Sequence, residues 1–401
     1  VLAQCLPYPP SSGVRSRTFH ILQELQREFA VTLLPFSRRN HQPRPADRDE
    51  ARAALRQVIP DVGLPIPIPS EESRLRRVWD HARSVLRRRP YTYYEYRSAA
   101  FRRQLRETLE RHTPALVHLD SVDLHGSLDD LPSVPVACTH HDIEPQLLRL
   151  RAERTPGLLA GYLRHQADLV EGLIRDLCPR LDLNVMMSAV DAERLRALAP
   201  GATTFVAPNG VDAEYFHPRP DVRPREGALM FLGPTYQFAN RDAVEYLLAD
   251  IFPSVRARRA GATLTLVGGN AEADRARFAA QDGVACAGQV DDVRPYLAAA
   301  ACSVVPIRVG GGTRLKILDA WAMGQAVVST SVGCEGLQAI DGENILIRDT
   351  PSEFADAVVA VLGDAALRTR LGAAARATVE ATYTWRRIGA SLRDAYQRVM
   401  Q

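Results

Sequence analysis

Ser303-Val-Val-Pro-Ile-Arg-Val-Gly310-Gly311-Gly312-Thr313-Arg314-Leu-Lys316-Ile-Leu-Asp319-Ala320 is the stretch on which the reading of this chain turns. An apolar run of strand character enters three glycines, and a pattern of helical period opens behind them. Glycines let backbone N–H groups approach an anion closely, and a helix N-terminus contributes about half a positive charge. The spacing predicts a diphosphate cradle on Gly310, Gly311, Gly312 and Thr313. A helix starting near Thr313 places Arg314 and Lys316 in its first turn. Asp319, five residues after Arg314, then projects towards the same ligand and accepts hydrogen bonds from neutral hydroxyls. The stretch fits neither G-x-G-x-x-G nor a P-loop, which argues against a dinucleotide or ATPase site.

The plain alternative is a glycine-rich turn followed by a basic helical turn. Composition weighs against it. Of 50 Lys and Arg residues in the 401-residue chain, Lys316 is the single lysine and 49 are arginines. A genome that drifts Lys to Arg explains the bias, and leaves the exception unexplained. Lysine and arginine part company where a compact ammonium is wanted as a point charge on phosphate.

Outward from this stretch, short apolar runs alternate with helical patterns, as β-α-β units of parallel sheets require. In the first half they lie at 1–5, 29–34, 115–119, 134–139, 184–187 and 204–207. In the second they lie at 228–232, 263–267, 284–287, 303–307, 326–329 and 345–347. Pro208-Asn-Gly-Val-Asp212 and then Pro218, Pro220 and Pro224 mark a linker between the sets. The expected architecture is α/β: two Rossmann-like, doubly wound parallel-sheet domains facing a central cleft, with C-terminal helices. The expected domains are 1–207 and 208–385, with a helix at 386–401 crossing back to the first domain. Ligands of open α/β sheets bind at the carboxyl ends of the strands, so function is expected in strand-to-helix loops.

The net charge of +3 is too balanced for a protein that wraps nucleic acid. It is unevenly distributed: 18 arginines against 10 acidic residues lie between Arg38 and Arg111. Six widely spaced cysteines form no C-x-x-C pair and read as small core residues of a reducing cytoplasm. No apolar run approaches the ~20 residues that span a bilayer, and the start, at Val1 in an apolar run, lacks the charged region of a signal peptide. A cytoplasmic chain is expected.

Residues 310–324, Gly-Gly-Gly-Thr-Arg-Leu-Lys-Ile-Leu-Asp-Ala-Trp-Ala-Met-Gly, are followed by Ala326-Val-Val-Ser-Thr-Ser-Val-Gly-Cys-Glu-Gly-Leu337 and Asp341-Gly-Glu-Asn344. Together they resemble the donor half of retaining glycosyltransferases of the GT-B fold, family four. The likeness includes Pro208-Asn-Gly-Val-Asp212, Phe231-Leu-Gly233, Asn240-Arg-Asp-Ala243 and Val290-Asp-Asp-Val-Arg-Pro-Tyr296. It implies transfer of a sugar from a nucleoside-diphosphate sugar, bound as donor substrate, with no separate cofactor. The family's Glu-x7-Glu pattern falls on Gly311 and Asp319: the second carboxylate survives one methylene shorter, and the first, near the donor sugar, is lost. Where family members carry an Arg and a Lys after the first donor-domain strand, this chain has Pro234-Thr-Tyr-Gln-Phe-Ala-Asn-Arg241. The cationic work is therefore expected of Arg314 and Lys316, with Arg241. With these charges and the helix end neutralising the leaving group, no metal is required.

In the first domain, Pro7-Tyr-Pro-Pro-Ser-Ser-Gly13 follows the first strand. The resemblance implies that Gly13 belongs to a loop facing the donor diphosphate; a plain surface turn is the alternative. The run 134–139 ends in His140-His-Asp-Ile-Glu144. His141, Asp142 and Glu144 are expected to orient a sugar hydroxyl or the acceptor, against a purely structural role, with His118 and Asp120 as weaker candidates. Arg87-Arg-Arg-Pro-Tyr-Thr-Tyr-Tyr-Glu-Tyr-Arg97 mixes aromatics with cations. It reads either as a solvated helix or as a surface for anionic lipid headgroups or a lipid-diphosphate acceptor, hence a peripheral membrane contact. The expected partners are a nucleotide sugar and an unidentified saccharide, lipid-linked or small-molecule acceptor, as in bacterial polysaccharide or natural-product biosynthesis. A non-catalytic GT-B subunit, an epimerase and a phosphorylase remain alternatives.

Overall fold

A computed structural model describes residues 1–10, 13–269, 272–310 and 314–401. The chain forms two compact units, Val1–Pro208 with Trp385–Gln401, and Asn209–Thr384.

In the first unit the strands are β1 (Leu2–Ala3), β2 (Thr32–Ser37), β3 (Asp61–Val62), β4 (Ile66–Pro67), β5 (Val117–Leu119), β6 (Val136–His140), β7 (Leu183–Met186) and β8 (Thr204–Val206). Among the described residues they form one sheet of order β3-β2-β1-β5-β6-β7-β8, with β4 also pairing β2. All pairings are parallel. The order reverses at β1, so the carboxyl ends of β1 and β5 flank the switch point where such sheets bind ligands. Two-residue strands β3 and β4 lie outside the runs read from sequence. Pro65 and Pro67 cannot donate to a ladder and confine this segment to the sheet edge.

The helix Trp385–Met400 packs on this unit. Its Arg393 donates to Glu28 Oε1 at 2.7 Å and to Glu24 Oε2 at 3.1 Å, while the Trp385 ring stacks on His20 at 5.2 Å. Its apolar stripe, Ile388, Leu392, Ala395 and Tyr396, joins the core made by Leu22, Leu33 and Val185.

The second unit has β9 (Ala228–Leu232), β10 (Thr263–Val267), β11 (Val284–Gly288), β12 (Cys302–Val305), β13 (Val327–Ser329) and β14 (Leu346–Ile347). Their order is β11-β10-β9-β12-β13-β14, parallel throughout. This is the doubly wound order with its switch between β9 and β12. The central strands are buried on both faces and read as unbroken apolar runs for that reason. Trp321, Phe231 and Phe354 are among the fully buried side chains that fill the space between sheet and helices.

Candidate functional site

Two corrections concern the decisive stretch. β12 stops at Val305, two residues earlier than the apolar run suggests, because Pro306 has no N–H to continue the ladder. The helix opens at Leu315 and not near Thr313; Arg314 is its cap residue, with non-helical φ −83° and ψ 84°. Lys316 therefore stands in the first turn and Arg314 just ahead of it. Gly311, Gly312 and Thr313, expected in the diphosphate cradle, lie outside the described residues.

The walls of the site come from neighbouring strand ends. Gly233 after β9 and Gly268 after β10 have φ of +152° and +135°. A Cβ on Gly268 would lie 2.5 Å from the Gly233 carbonyl carbon, and one on Gly233 would lie 2.8 Å from the Asn240 amide. Only glycine permits backbone to press on backbone here. Asn240, buried in the helix Phe238–Tyr246, donates Nδ2 to the Pro234 carbonyl and to Gln237 Oε1, both at 3.0 Å. Its Oδ1 is left to face the Lys316 ammonium, which donates to it at 2.6 Å. The ammonium also lies 4.5 Å from the centroid of the Phe231 ring. Desolvation, reinforced by the Arg314 charge, lowers Lys316 from 10.5 to about 7.

Arg314 packs against Gly310, where a Cβ would meet Nη2 at 3.3 Å and where φ is +124°. Arg308 is committed to fixing the loop: it donates to both oxygens of Asp242, at 2.9 and 3.1 Å, and covers the Tyr246 ring at 4.2 Å. Arg241 pairs with Asp274 and donates to the Thr235 carbonyl at 3.3 Å. It thus ties the turn after β9 to the helix Glu272–Ala279.

Asp319 follows Lys316 by three residues, on the same face of one helix. Burial raises its carboxyl from 3.8 to about 7. Among the described residues it has no hydrogen-bond or ion-pair partner, so its oxygens are acceptors without donors. The half-buried carboxylate leaves room for a donor from outside the chain. A ligand hydroxyl is one that the geometry allows.

In the first unit the carboxyl ends of β5 and β6 bring Asp120 and His141 together. His141 Nε2 lies 2.7 Å from the Asp120 carbonyl oxygen and 3.6 Å from its Oδ1. Both are acceptors, so Nε2 carries a proton; in the neutral tautomer Nδ1 is the acceptor. Thr18, on the helix Gly13–Leu25, donates to both Asp120 oxygens at 3.0 Å. Gly13 is the exposed first residue of that helix. The buried Arg17 donates to the Pro208 carbonyl at 2.8 Å and feels the Asp120 charge. Sequence reading missed Arg17, because one arginine among 49 carries no signal until its burial is seen.

Glu144 opens the helix Glu144–Glu153 and is raised to about 7, mainly by burial, with Asp123 and Asp142 adding to the effect. Asp142 stands between it and His141 in the chain, at the mouth of the same turn. The neighbouring histidines belong to the core. His118 bonds the Tyr396 hydroxyl at 2.7 Å and Thr139 Oγ1 at 3.2 Å, and burial lowers it to about 3. His140 bonds Asn184 Oδ1 at 3.0 Å and is lowered to about 4. Among the described residues no group of three or more His, Cys, Asp or Glu side chains is arranged to hold a metal ion.

Two doubly wound parallel sheets of this kind define the GT-B fold. Solved structures agree on that fold. The Anabaena protein HepE in complex with UDP and glucose superposes with a TM-score of 0.67 at 13% identity, over 99% of this chain and 98% of that one. Sucrose-phosphate synthase from Thermosynechococcus elongatus gives 0.71 at 18% identity over the same shares.

Residues 11–215, just over half of the chain, match Glycosyltransferase Family 4, and residues 226–364 match the Glycosyl transferases group 1 family. The chain belongs to the family-four, group 1 glycosyltransferases. A curated relative from Mycobacterium tuberculosis is a GDP-mannose-dependent alpha-(1-6)-phosphatidylinositol monomannoside mannosyltransferase. It is 28% identical over 253 residues, 56% of this chain and 64% of the relative. The chain thus spans less than two thirds of the length of that relative.

Proposed function

We propose that this chain is a retaining glycosyltransferase that moves a hexose from a nucleoside-diphosphate sugar to a saccharide, lipid-linked or small-molecule acceptor. The observation that carries the reading is the Lys316–Asp319 pair. One helix presents, within one turn, an ammonium held by Asn240 and a desolvated carboxylate with no partner among the described residues. A diphosphate supplies negative charge for the Lys316 ammonium, and a ribose hydroxyl supplies the donor that Asp319 lacks.

In this scheme the second unit holds the leaving group. Negative charge grows on the diphosphate as the glycosidic bond breaks, and the Gly310 backbone, with Arg314 and Lys316, stabilises it. Asn240 acts by positioning the ammonium. The acceptor hydroxyl attacks the oxocarbenium-like sugar on the face the diphosphate leaves, which retains configuration, and passes its proton to the departing phosphate oxygen. The charges that neutralise the leaving group belong to the protein, so the step requires no metal. In the first unit His141, its tautomer set by Asp120, accepts a hydrogen bond from a sugar or acceptor hydroxyl through Nδ1, with Asp142 and Glu144 beside it.

GDP-mannose is the first donor to try, because the M. tuberculosis relatives depend on it; UDP-glucose is the second, because HepE was also solved with it bound. The test is acceptor-dependent release of nucleoside diphosphate by the purified chain, with the anomeric configuration of the product read by NMR. Release without acceptor incorporation, or an inverted product, refutes the proposal. Binding without turnover under any donor and acceptor pair points instead to a non-catalytic subunit.

A further inference from the structure

The helix Arg74–Arg87 is amphipathic the wrong way round. Its buried residues are Asp80 and Ser84. Its apolar residues Leu75, Val78, Trp79, Ala82 and Leu86 recur at the i, i+3, i+4, i+7 and i+11 spacing of one stripe, and the large ones face solvent: Leu75 is 85% exposed, Val78 68%, Trp79 58% and Leu86 75%. Polar bonds hold the inner face. Ser84 donates to the Arg89 carbonyl at 2.7 Å and receives Gln166 Nε2 at 2.7 Å, and His81 Nδ1 meets the Tyr162 hydroxyl at 2.5 Å. One turn before Tyr162, Leu158 at the start of the helix Leu158–Leu177 is 96% exposed and Leu159 is exposed beside it. Exposed apolar side chains gathered along one stripe in this way mark an interaction surface.

Its surround is strongly cationic. From Arg74 to Arg89 there are seven arginines and one carboxylate, Asp80, which Arg76 already engages at 2.7 Å. Arg83 and Arg89 lie over the rings of Tyr94 and Tyr93, at 4.8 and 4.7 Å, which orients their guanidinium groups without neutralising them. Such a rim repels a second copy of itself and attracts a surface that is negative and apolar at once.

We propose that the outward stripe of the Arg74–Arg87 helix, extended by Leu158 and Leu159, docks the protein on an anionic lipid bilayer. The apolar side chains enter the headgroup–acyl boundary, and the arginines pair with lipid phosphates. The inference rests on the surface of the first unit and is independent of the donor site.

Trp79 is a built-in reporter, since the other two tryptophans, Trp321 and Trp385, are buried. The full chain is to be floated with vesicles of phosphatidylcholine alone and with about one third phosphatidylglycerol. The expected result is binding to the anionic vesicles, a blue shift of Trp79 emission and its quenching by bromolipids. Leu75→Asp with Leu86→Asp should abolish binding while leaving the thermal melt unchanged, because both residues are exposed. Arg74→Ser and Arg87→Ser should each lower partitioning about fivefold, the effect falling at high salt. The proposal is overturned if the anionic vesicles do not bind the chain, or bind the double Asp variant equally well. It is also overturned if sedimentation without lipid shows a dimer that the double variant dissociates, for the stripe then pairs two copies.

Discussion

Lys316 donates its ammonium proton to Asn240 Oδ1 at 2.6 Å, so the chain's one lysine is fastened to the helix that follows β9. The bond joins the two strands that flank the switch point of the second sheet, β9 and β12, through the first helical residues behind each. An arginine fork could not take this place: the ammonium fits between the Phe231 ring face and one amide oxygen as a compact point charge. Lys316→Ala should weaken nucleoside-diphosphate binding about 10- to 100-fold, the value of a charge-assisted hydrogen bond. Lys316→Arg should restore only part of it. Titration calorimetry with UDP and GDP measures both, and normal binding by Lys316→Ala removes Lys316 from the site.

Asn240→Asp separates positioning from charge. A carboxylate at 240 would keep an acceptor for Lys316 and raise its pKa, while adding a negative charge that repels a diphosphate. Donor affinity should fall, and the alkaline limb of its pH profile should move upward. Asn240→Ala should weaken binding without that upward move, and should cost about 1–2 kcal/mol of stability because the Pro234 carbonyl loses its donor. If the two variants share one pH profile, Asn240 does not set the lysine's ionisation.

Asp319 and Lys316 carry opposite pH signatures. Burial raises Asp319 from 3.8 to about 7, so the unfolded chain holds fewer protons than the folded one across that window, and stability falls as pH rises through it. Lys316 is lowered from 10.5 to about 7, so stability returns as pH rises from 7 towards 10.5. Asp319→Asn should therefore raise the melting temperature at about pH 8 and leave it unchanged near pH 4. Donor affinity should be bell-shaped around neutrality, since Asp319 must be ionised to accept a hydroxyl and Lys316 protonated to hold phosphate. Asp319→Asn should flatten the acid limb; a limb that survives belongs to another group.

What could be read from the residues depended on whether the signal was local. The run at 228–232 coincides with β9, which is apolar along its whole length because it is buried between helices, and the run at 263–267 coincides with β10, whose Leu264 and Leu266 are buried while Thr263 is exposed. β3 and β4 are two residues each, and no period can be seen in two residues. The glycines, Lys316 and Asp319 announced themselves by chemistry and spacing. Asn240 stood in a recognisable motif without a visible task, because its partner lies 76 residues away. The Arg74–Arg87 helix has the same apolar period whether its stripe faces in or out; only the buried Asp80 and Ser84 reveal the direction.

His141 and Asp120 give a prediction within the first unit. Asp120 lies with both oxygens on Thr18 and its carbonyl on His141 Nε2, so it fixes both the helix Gly13–Leu25 and the imidazole. His141→Ala should lower the transfer rate about 100-fold, as expected when a reacting group loses its orientation, with nucleoside-diphosphate affinity unchanged. Thr18→Val should lower the rate by less, since His141 keeps the Asp120 carbonyl. Parallel loss of diphosphate binding in His141→Ala would place the imidazole on the donor phosphates instead.

The glycine pair that shapes the donor wall gives the last prediction. At φ +135°, Gly268 holds a conformation that L residues avoid, and an added methyl would press on the Gly233 carbonyl at 2.5–2.6 Å and on the Pro234 nitrogen at 2.8 Å. The obstacle is backbone, which cannot rotate away. Moving it would displace the turn that carries Asn240 and with it the Lys316 ammonium. Gly268→Ala should cost roughly 1–3 kcal/mol in urea unfolding and should weaken diphosphate binding although residue 268 offers no side chain to the ligand. Gly172→Ala is the control: it lies within the helix Leu158–Leu177, where a methyl meets nothing within 4 Å, and alanine is the better helix former. It should be neutral or stabilising. If Gly268→Ala is equally benign, the strand ends are not pressed together, and Asn240 owes its place to other contacts.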